Sequence, residues 1–158
     1  MLGLLQQYAS SDPLTELYNR RTFNEKLKEA RDSRGEKYLV LLDLDHFKKV
    51  NDGHGHMTGD QVLLMMAGLL RNALPAPPHT VARWGGDEFA VIYYGEKDQL
   101  LQLLENIRME FVSHSAPFDP SLNFSFGIAS INESDCINQL IAEADKKLYE
   151  RKRMRKNT

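Results

Sequence analysis

Residues Tyr38-Leu39-Val40-Leu41-Leu42 form an unbroken apolar run that ends abruptly in Asp43-Leu44-Asp45. A run of strand length with no polar alternation is a strand covered on both faces, so this chain must lay protein on each side of one sheet. The surrounding pattern supplies the covers. Arg20 to Arg31 is an amphipathic helix carrying Phe23, Leu27 and Ala30 on one side, and Gly35 breaks it. Thr58 to Asn72 places Val62, Met65, Met66 and Leu69 at helical spacing before Pro75-Ala76-Pro77-Pro78 stops it. Asp98 to Val112 and Ser134 to Arg153 are two further helices, and Leu122 to Ile131 is a strand. Thr80 to Trp84 and Phe89 to Tyr94 are strands joined by Gly85-Gly86-Asp87-Glu88, a hairpin by its glycine-led connection. Ser10-Ser11-Asp12-Pro13 suggests a helix start, and the polar segment His46 to Gly59 suggests a loop with room for one helical turn. Residues 1–11 are expected to be a connecting helix stub, leaving 12–158 as one α+β domain with a largely antiparallel sheet.

A chain of 158 residues with 42% hydrophobic residues can bury a core without staples. A net charge of -2 argues against a nucleic-acid binder, which needs a dominant basic face. The single cysteine, Cys136, has no internal partner, which fits a reducing compartment. No apolar run approaches the roughly 20 residues that span a bilayer. The expectation is a soluble cytoplasmic domain without membrane contact of its own, which an N-terminal region could tether.

Chemistry concentrates at two acidic turns. Asp43 and Asp45 are two apart at a strand end, so their carboxylates face the same way and repel unless a cation lies between them. Asp87 and Glu88 follow Gly85 and Gly86, where absent side chains let a large anionic ligand approach the backbone. Together the turns suit a hard cation with oxygen ligands, magnesium first and manganese as the alternative. Magnesium shares phosphate oxygens, so a nucleoside triphosphate is the expected companion. Lys48 and the basic run Arg151-Lys152-Arg153-Met154-Arg155-Lys156 are the cations available to it, although a basic run also suits a helix C-terminus. No Gly-x-x-x-x-Gly-Lys run is present, and His54-Gly55-His56 is a poor zinc site, with His56 expected to tie down its loop.

The run Arg83-Trp84-Gly85-Gly86-Asp87-Glu88-Phe89 resembles the signature of GGDEF diguanylate cyclases. Asp12-Pro13-Leu14-Thr15 with Asn19-Arg20-Arg21 resembles the family's opening. Asp43-Leu44-Asp45-His46-Phe47-Lys48, then Asn51-Asp52, Gly55-His56 and Gly59-Asp60, resembles its central motif, and Ser125-Phe126-Gly127-Ile128-Ala129 its late strand. Ala144-Asp145, Leu148-Tyr149 and Lys152 resemble its last helix. The resemblance implies the nucleotidyl-cyclase and polymerase-palm fold, and an enzyme that condenses two GTP into cyclic di-GMP across a homodimer. It implies metal ligation by Asp43, Asp87 and the Leu44 carbonyl, with Glu88 serving a second metal or deprotonating a ribose hydroxyl. It implies guanine contacts from Asn51 and Asp60, a close approach at Gly85 and Gly86, and phosphate contacts from Lys48, Lys152 and the amides of His46 and Phe47.

The chain also departs from that pattern. Pro77-Pro78-His79-Thr80 occupies the place of an Arg-x-x-Asp product clasp, so no feedback inhibition through such a clasp is expected. Glu16 stands where the family usually has glycine, and Arg155-Lys156 where it usually has Gly-Arg, which leaves a phosphate role for Lys156 open. The rival readings are an inactive GTP or cyclic di-GMP binding module and a pure interaction domain. The first is disfavoured by intact acids beside a missing clasp, the second by the joint occurrence of Asp43, Asp87, Glu88 and Lys48.

Overall fold

A computed structural model describes residues 9–132 and 136–156, without the side chain of Lys156. Residues 1–8 of the expected stub, and Ser134 at the expected start of the last helix, lie outside the described residues. In chain order the elements are α1 (Arg20–Asp32), β1 (Lys37–Asp45), α2 (Phe47–His54), α3 (His56–Ala73), β2 (Thr80–Arg83), β3 (Glu88–Tyr94), α4 (Lys97–Ser115), β4 (Asn123–Ser130) and α5 (Ile137–Lys156). The strands form one sheet in the order β2-β3-β1-β4, with every pairing between them antiparallel.

The apolar run at 38–42 is β1, a central strand, and both its faces are covered. Val40, Leu42 and Leu44 join the core shared with Val62, Met66 and Leu70 of α3 and Leu104 and Phe111 of α4. Leu39 and Leu41 point the other way, to Phe23, Leu27 and Ala30 of α1 and Leu140, Ala144 and Leu148 of α5. Phe23, Leu27, Leu39 and Leu42 are all fully buried, each contributing about 1.5–3 kcal/mol relative to exposure.

Two expectations are corrected. Asp12 does cap a turn, its Oδ2 accepting 2.8 Å hydrogen bonds from the Thr15 amide and hydroxyl, but no α-helix follows. Glu16 has φ of 64°, a left-handed conformation that glycine adopts freely and that ends the turn. The chain then runs along β2, where Tyr18 bridges Ala82, and α1 starts later with Asn19 Oδ1 accepting from the Thr22 amide. The segment 46–59 is not a loop. Phe47 and Val50 are buried one turn apart on α2, and Gly55, with φ of 88°, separates that helix from α3. Its other residues are polar and mostly exposed, and this polarity concealed the helix.

At Gly127 the sheet and α5 meet at backbone distance. A methyl group there would strike the Ala144 carbonyl oxygen and the Leu148 amide nitrogen. This contact lays α5 flat on β4 and β1 and aims its last turns at the strand tips. Gly127→Ala should therefore destabilise the fold by about 3 kcal/mol, the upper range for an overpacked core. Urea unfolding checks this through a lowered midpoint at an unchanged slope.

Candidate active site

Alternation along β1 puts Asp43 and Asp45 on the face that Leu39 and Leu41 share with α5. Asp43 lies opposite Glu88 on β3 and Ser125 on β4. Asp87 sits at the end of the hairpin loop, and its carbonyl accepts a 3.1 Å hydrogen bond from the Leu44 amide. That bond locks the loop to β1 and brings the Asp87 and Asp43 carboxyl groups within hydrogen-bonding contact. The two acidic turns, 44 residues apart in sequence (87 − 43), thus become one cluster.

Burial first, and then the charge of Asp87, outweigh an ion pair with Lys152 and push the Asp43 carboxyl up to about 6. Burial, followed by the charges of Asp43 and Asp145, also raises Glu88. Asp43 Oδ2 pairs with Lys152 Nζ, whereas its Oδ1 is buried with no hydrogen-bond partner. A buried carboxylate oxygen left unpaired beside a second carboxylate is what a divalent cation would satisfy. No three His, Cys, Asp or Glu side chains among the described residues converge as a complete metal cage. A carboxylate pair with a neighbouring backbone fits magnesium, which keeps water and phosphate oxygens in its shell.

The two strand acids face one spot as expected, with the Lys152 ammonium between them, but they take different further partners. Asp45 accepts from Ser125 Oγ at 3.0 and 3.1 Å and pairs with Arg155 Nη1 at 3.0 Å. Lys152 Nζ lies 3.9 Å from it.

Two clefts of about 510 Å³ each meet at the cluster. The first is lined by Asn51 of α2 and by His56, Asp60 and Leu63 of α3, with Gly86 and Asp87 at its rim. Close packing of α2 on α3 makes this cleft, since a Cβ at Gly59 would collide with Asn51 Oδ1 and crowd the Phe47 ring. His56 is exposed in the first turn of α3 and lines the cleft rather than tying down a loop. The second cleft is lined by Leu44, Asp45, His46, Phe47, Lys48, Asp87, Lys152 and Arg155, among others. His46, with φ of 65°, turns the chain into α2, so the unpaired amides of the first turn of α2 open towards this cleft. Phe47, Lys48 and Asp87 line both clefts. Thus Lys48 and Asp87 stand at the junction, with Asp43 beside Asp87 and Glu88 across the strand pair from Asp43. Leu44 and Lys152 line the second cleft, Asn51 and Asp60 the first, and the Lys156 side chain lies outside the described residues.

Sequence reasoning missed the supports. Arg83 clamps the hairpin, donating from Nη2 to the Gly86 carbonyl at 2.8 Å and from Nε to Gly85 and Gly86 at 3.2 Å. It also pairs with Asp12 at 3.3 Å. Burial opposes the Asp12 charge, but Thr15 and Arg83 hold its carboxyl below its usual value. The pairing of Arg155 and Ser125 with Asp45 was missed as well. Their partner is 110 and 80 residues away, so no local pattern could reveal them.

The chain matches the family described as "Diguanylate cyclase, GGDEF domain" over residues 9–158, and it belongs to that family. It is 38% identical to the probable diguanylate cyclase DgcI of Escherichia coli over 90% of this chain and 31% of that protein. It is 34% identical to the diguanylate cyclase VdcA of Vibrio cholerae over 99% of this chain and 48% of that protein. The chain therefore spans less than half the length of these curated relatives. The crystal structure of the coiled coil and GGDEF domain of DgcB from Caulobacter crescentus, in complex with c-di-GMP, superposes with a TM-score of 0.86 at 34% identity. It covers 96% of this chain and 85% of that one. The sheet with helices on both faces is the palm-like fold of nucleotidyl cyclases, as expected from the motifs.

The folded protein keeps Asp43 protonated up to about pH 6, whereas the unfolded chain ionises it near 3.8. This carboxyl therefore subtracts stability above pH 6, subtracts less as pH falls towards 3.8, and subtracts nothing below that. Asp43→Asn should stabilise the protein at pH 7.5 by roughly 1–2 kcal/mol, a gain that disappears below pH 4. Thermal unfolding across that range checks it, and added magnesium should raise the Tm of the parent more than that of the variant.

Proposed function

We propose that this chain is the catalytic domain of a diguanylate cyclase, which joins two GTP molecules into cyclic di-GMP and releases two pyrophosphates. One observation carries the proposal: Asp87, with Asp43 beside it and Glu88 across the strand pair, stands where the cleft of Asn51 and Asp60 joins a cation-lined one. In this reading the catalytic unit runs from residue 12 to 158, with 1–11 as its connecting segment.

Guanine would occupy the cleft between Asn51 and Asp60. A carboxylate at Asp60 accepts hydrogen bonds from guanine N1–H and the exocyclic amine, and adenine offers no N1–H, so ATP is rejected. Gly85 and Gly86 leave room beside the nucleotide. Lys48, Lys152 and the amides of His46 and Phe47 receive the phosphates. Magnesium, or manganese, would be held by Asp43, Asp87 and the Leu44 carbonyl, where it would neutralise charge developing on the phosphates. Lys152 keeps Asp43 neutralised before nucleotide enters and is placed to follow the phosphates afterwards. Glu88, its affinity for a proton raised by its neighbours, suits either acceptance of the 3′-hydroxyl proton or a second metal.

Two domains face each other about a two-fold axis. The 3′-oxygen of each GTP bonds to the α-phosphorus of the other, the bond to the pyrophosphate oxygen breaks, and the hydroxyl proton leaves. Catalysis is then chiefly positioning and charge neutralisation. One domain holds half of the reacting atoms.

The absence of a product clasp is supported by how residues 77–80 are used. His79 Nδ1 accepts the Tyr94 amide at 3.2 Å, and its ring stacks on Tyr93 at 4.8 Å, so this segment is tied into the sheet edge.

Purified protein with GTP and magnesium should yield cyclic di-GMP at a specific rate that rises with protein concentration. Asp87→Ala and Glu88→Ala should each lower turnover at least 100-fold without unfolding the domain. Activity within a few fold of the parent would remove the metal role. Added cyclic di-GMP should leave the initial rate unchanged, and submicromolar inhibition would show that a clasp exists.

A further inference from the structure

Arg155 lies in the last turns of α5, one position before the lysine to which the family pattern would assign the phosphate contact. Its guanidinium is fixed at the tip of β1, where Nη1 meets Asp45 Oδ2 at 3.0 Å, and Asp45 is held in turn by Ser125. It lines the second cleft together with Lys48 and Lys152, opposite Ser121 and Asn123.

The direction of the cleft gives that placement a meaning. The two clefts share Phe47, Lys48 and Asp87, so a nucleotide crossing the carboxylate cluster is threaded from one into the other. With its base against Asn51 and Asp60 and its first phosphate near Asp87, the remaining phosphates run towards the Ser121, Asn123 and Arg155 end. Three cations converge there, two of them paired with Asp43 and Asp45 at the strand tip. Lys48, Lys152 and Arg155 line the cleft against Asp45 and Asp87. Nearby, burial and then the charge of Arg155 lower the proton affinity of Arg108. Cations crowded in this way are relieved by a polyanion. A guanidinium has five donors in a planar fork, so one carboxylate does not exhaust it, and it matches phosphate oxygens in a way an ammonium cannot.

We propose that Arg155 contacts the terminal phosphates of the bound nucleoside triphosphate, with Asp45 as the residue that positions it. This rests on the nucleotide site proposed above. It assigns the grip on the β- and γ-phosphates to a side chain anchored on the sheet rather than to Lys156.

Arg155 is exposed on α5, and circular dichroism and urea unfolding of each variant check that the fold is kept. The test measures binding of a GTP analogue with an uncleavable α,β-linkage, and of GMP, to parent, Arg155→Ala and Arg155→Lys proteins with magnesium. Arg155→Ala should weaken the triphosphate analogue about tenfold and leave GMP within twofold, with Arg155→Lys between. Steady-state turnover should show the loss in KM more than in kcat. Unchanged analogue binding in Arg155→Ala, or an equal loss for GMP, would overturn the assignment while leaving the nucleotide site intact. Failure of the folded parent to bind either nucleotide would overturn both.

Discussion

Carboxylates that would otherwise repel are forced together where β1 ends and the β2–β3 loop turns. Asp43 lies close enough to Asp87 to feel its charge, and Glu88 stands across the strand pair from Asp43. Lys152 pairs with one oxygen of Asp43, yet this offsets only part of the repulsion. Burial raises the proton affinity of Asp43 and Glu88, and Asp43 Oδ1 finds no donor. The cluster persists because the sheet and its two helical layers are stable enough to hold it. Such a site spends stability to be ready for positive charge.

The rest of the molecule can be understood as a frame for that cluster. The Leu44–Asp87 backbone bond sets the distance between the turns, and Arg83 stiffens the loop by binding its carbonyl groups and Asp12. On the opposite side, the bare backbone of Gly127 lets α5 lie close enough for Lys152 and Arg155 to reach the acids. Moving α5 outward by the width of a methyl group would separate the cations from the strand tips. Packing in the core and charge balance at the site are therefore one problem.

The neighbouring acids of β1 divide the work. Asp43 faces the hairpin and carries the unpaired oxygen, whereas Asp45 faces Ser125 and the basic end of α5. A strand end with two acids on one face thus organises both a cation position and an anion cleft. Packing α2 against α3 builds the other cleft, with Gly59 admitting the Asn51 side chain between the helices. These clefts join at Phe47, Lys48 and Asp87, which line both.

Period and punctuation were enough to find β1, the hairpin, α1, α3, α4 and β4, because buried faces impose apolar repeats and turns demand glycine and proline. The same local rules placed Asp43, Asp87 and Glu88 at strand ends, and motif spacing supplied the family. They failed for α2, a short helix with only Phe47 and Val50 buried and two glycines near its end, and for Asp12, whose capped turn is ended by Glu16 in a left-handed conformation. They were also silent on Arg83–Asp12, Ser125–Asp45 and Arg155–Asp45, contacts that join residues 71, 80 and 110 positions apart. An isolated strand end cannot say which of two acids on one face will meet a lysine, an arginine or another carboxylate. That choice belongs to the register of three paired strands and the angle of one helix, and it exists only after the chain has folded.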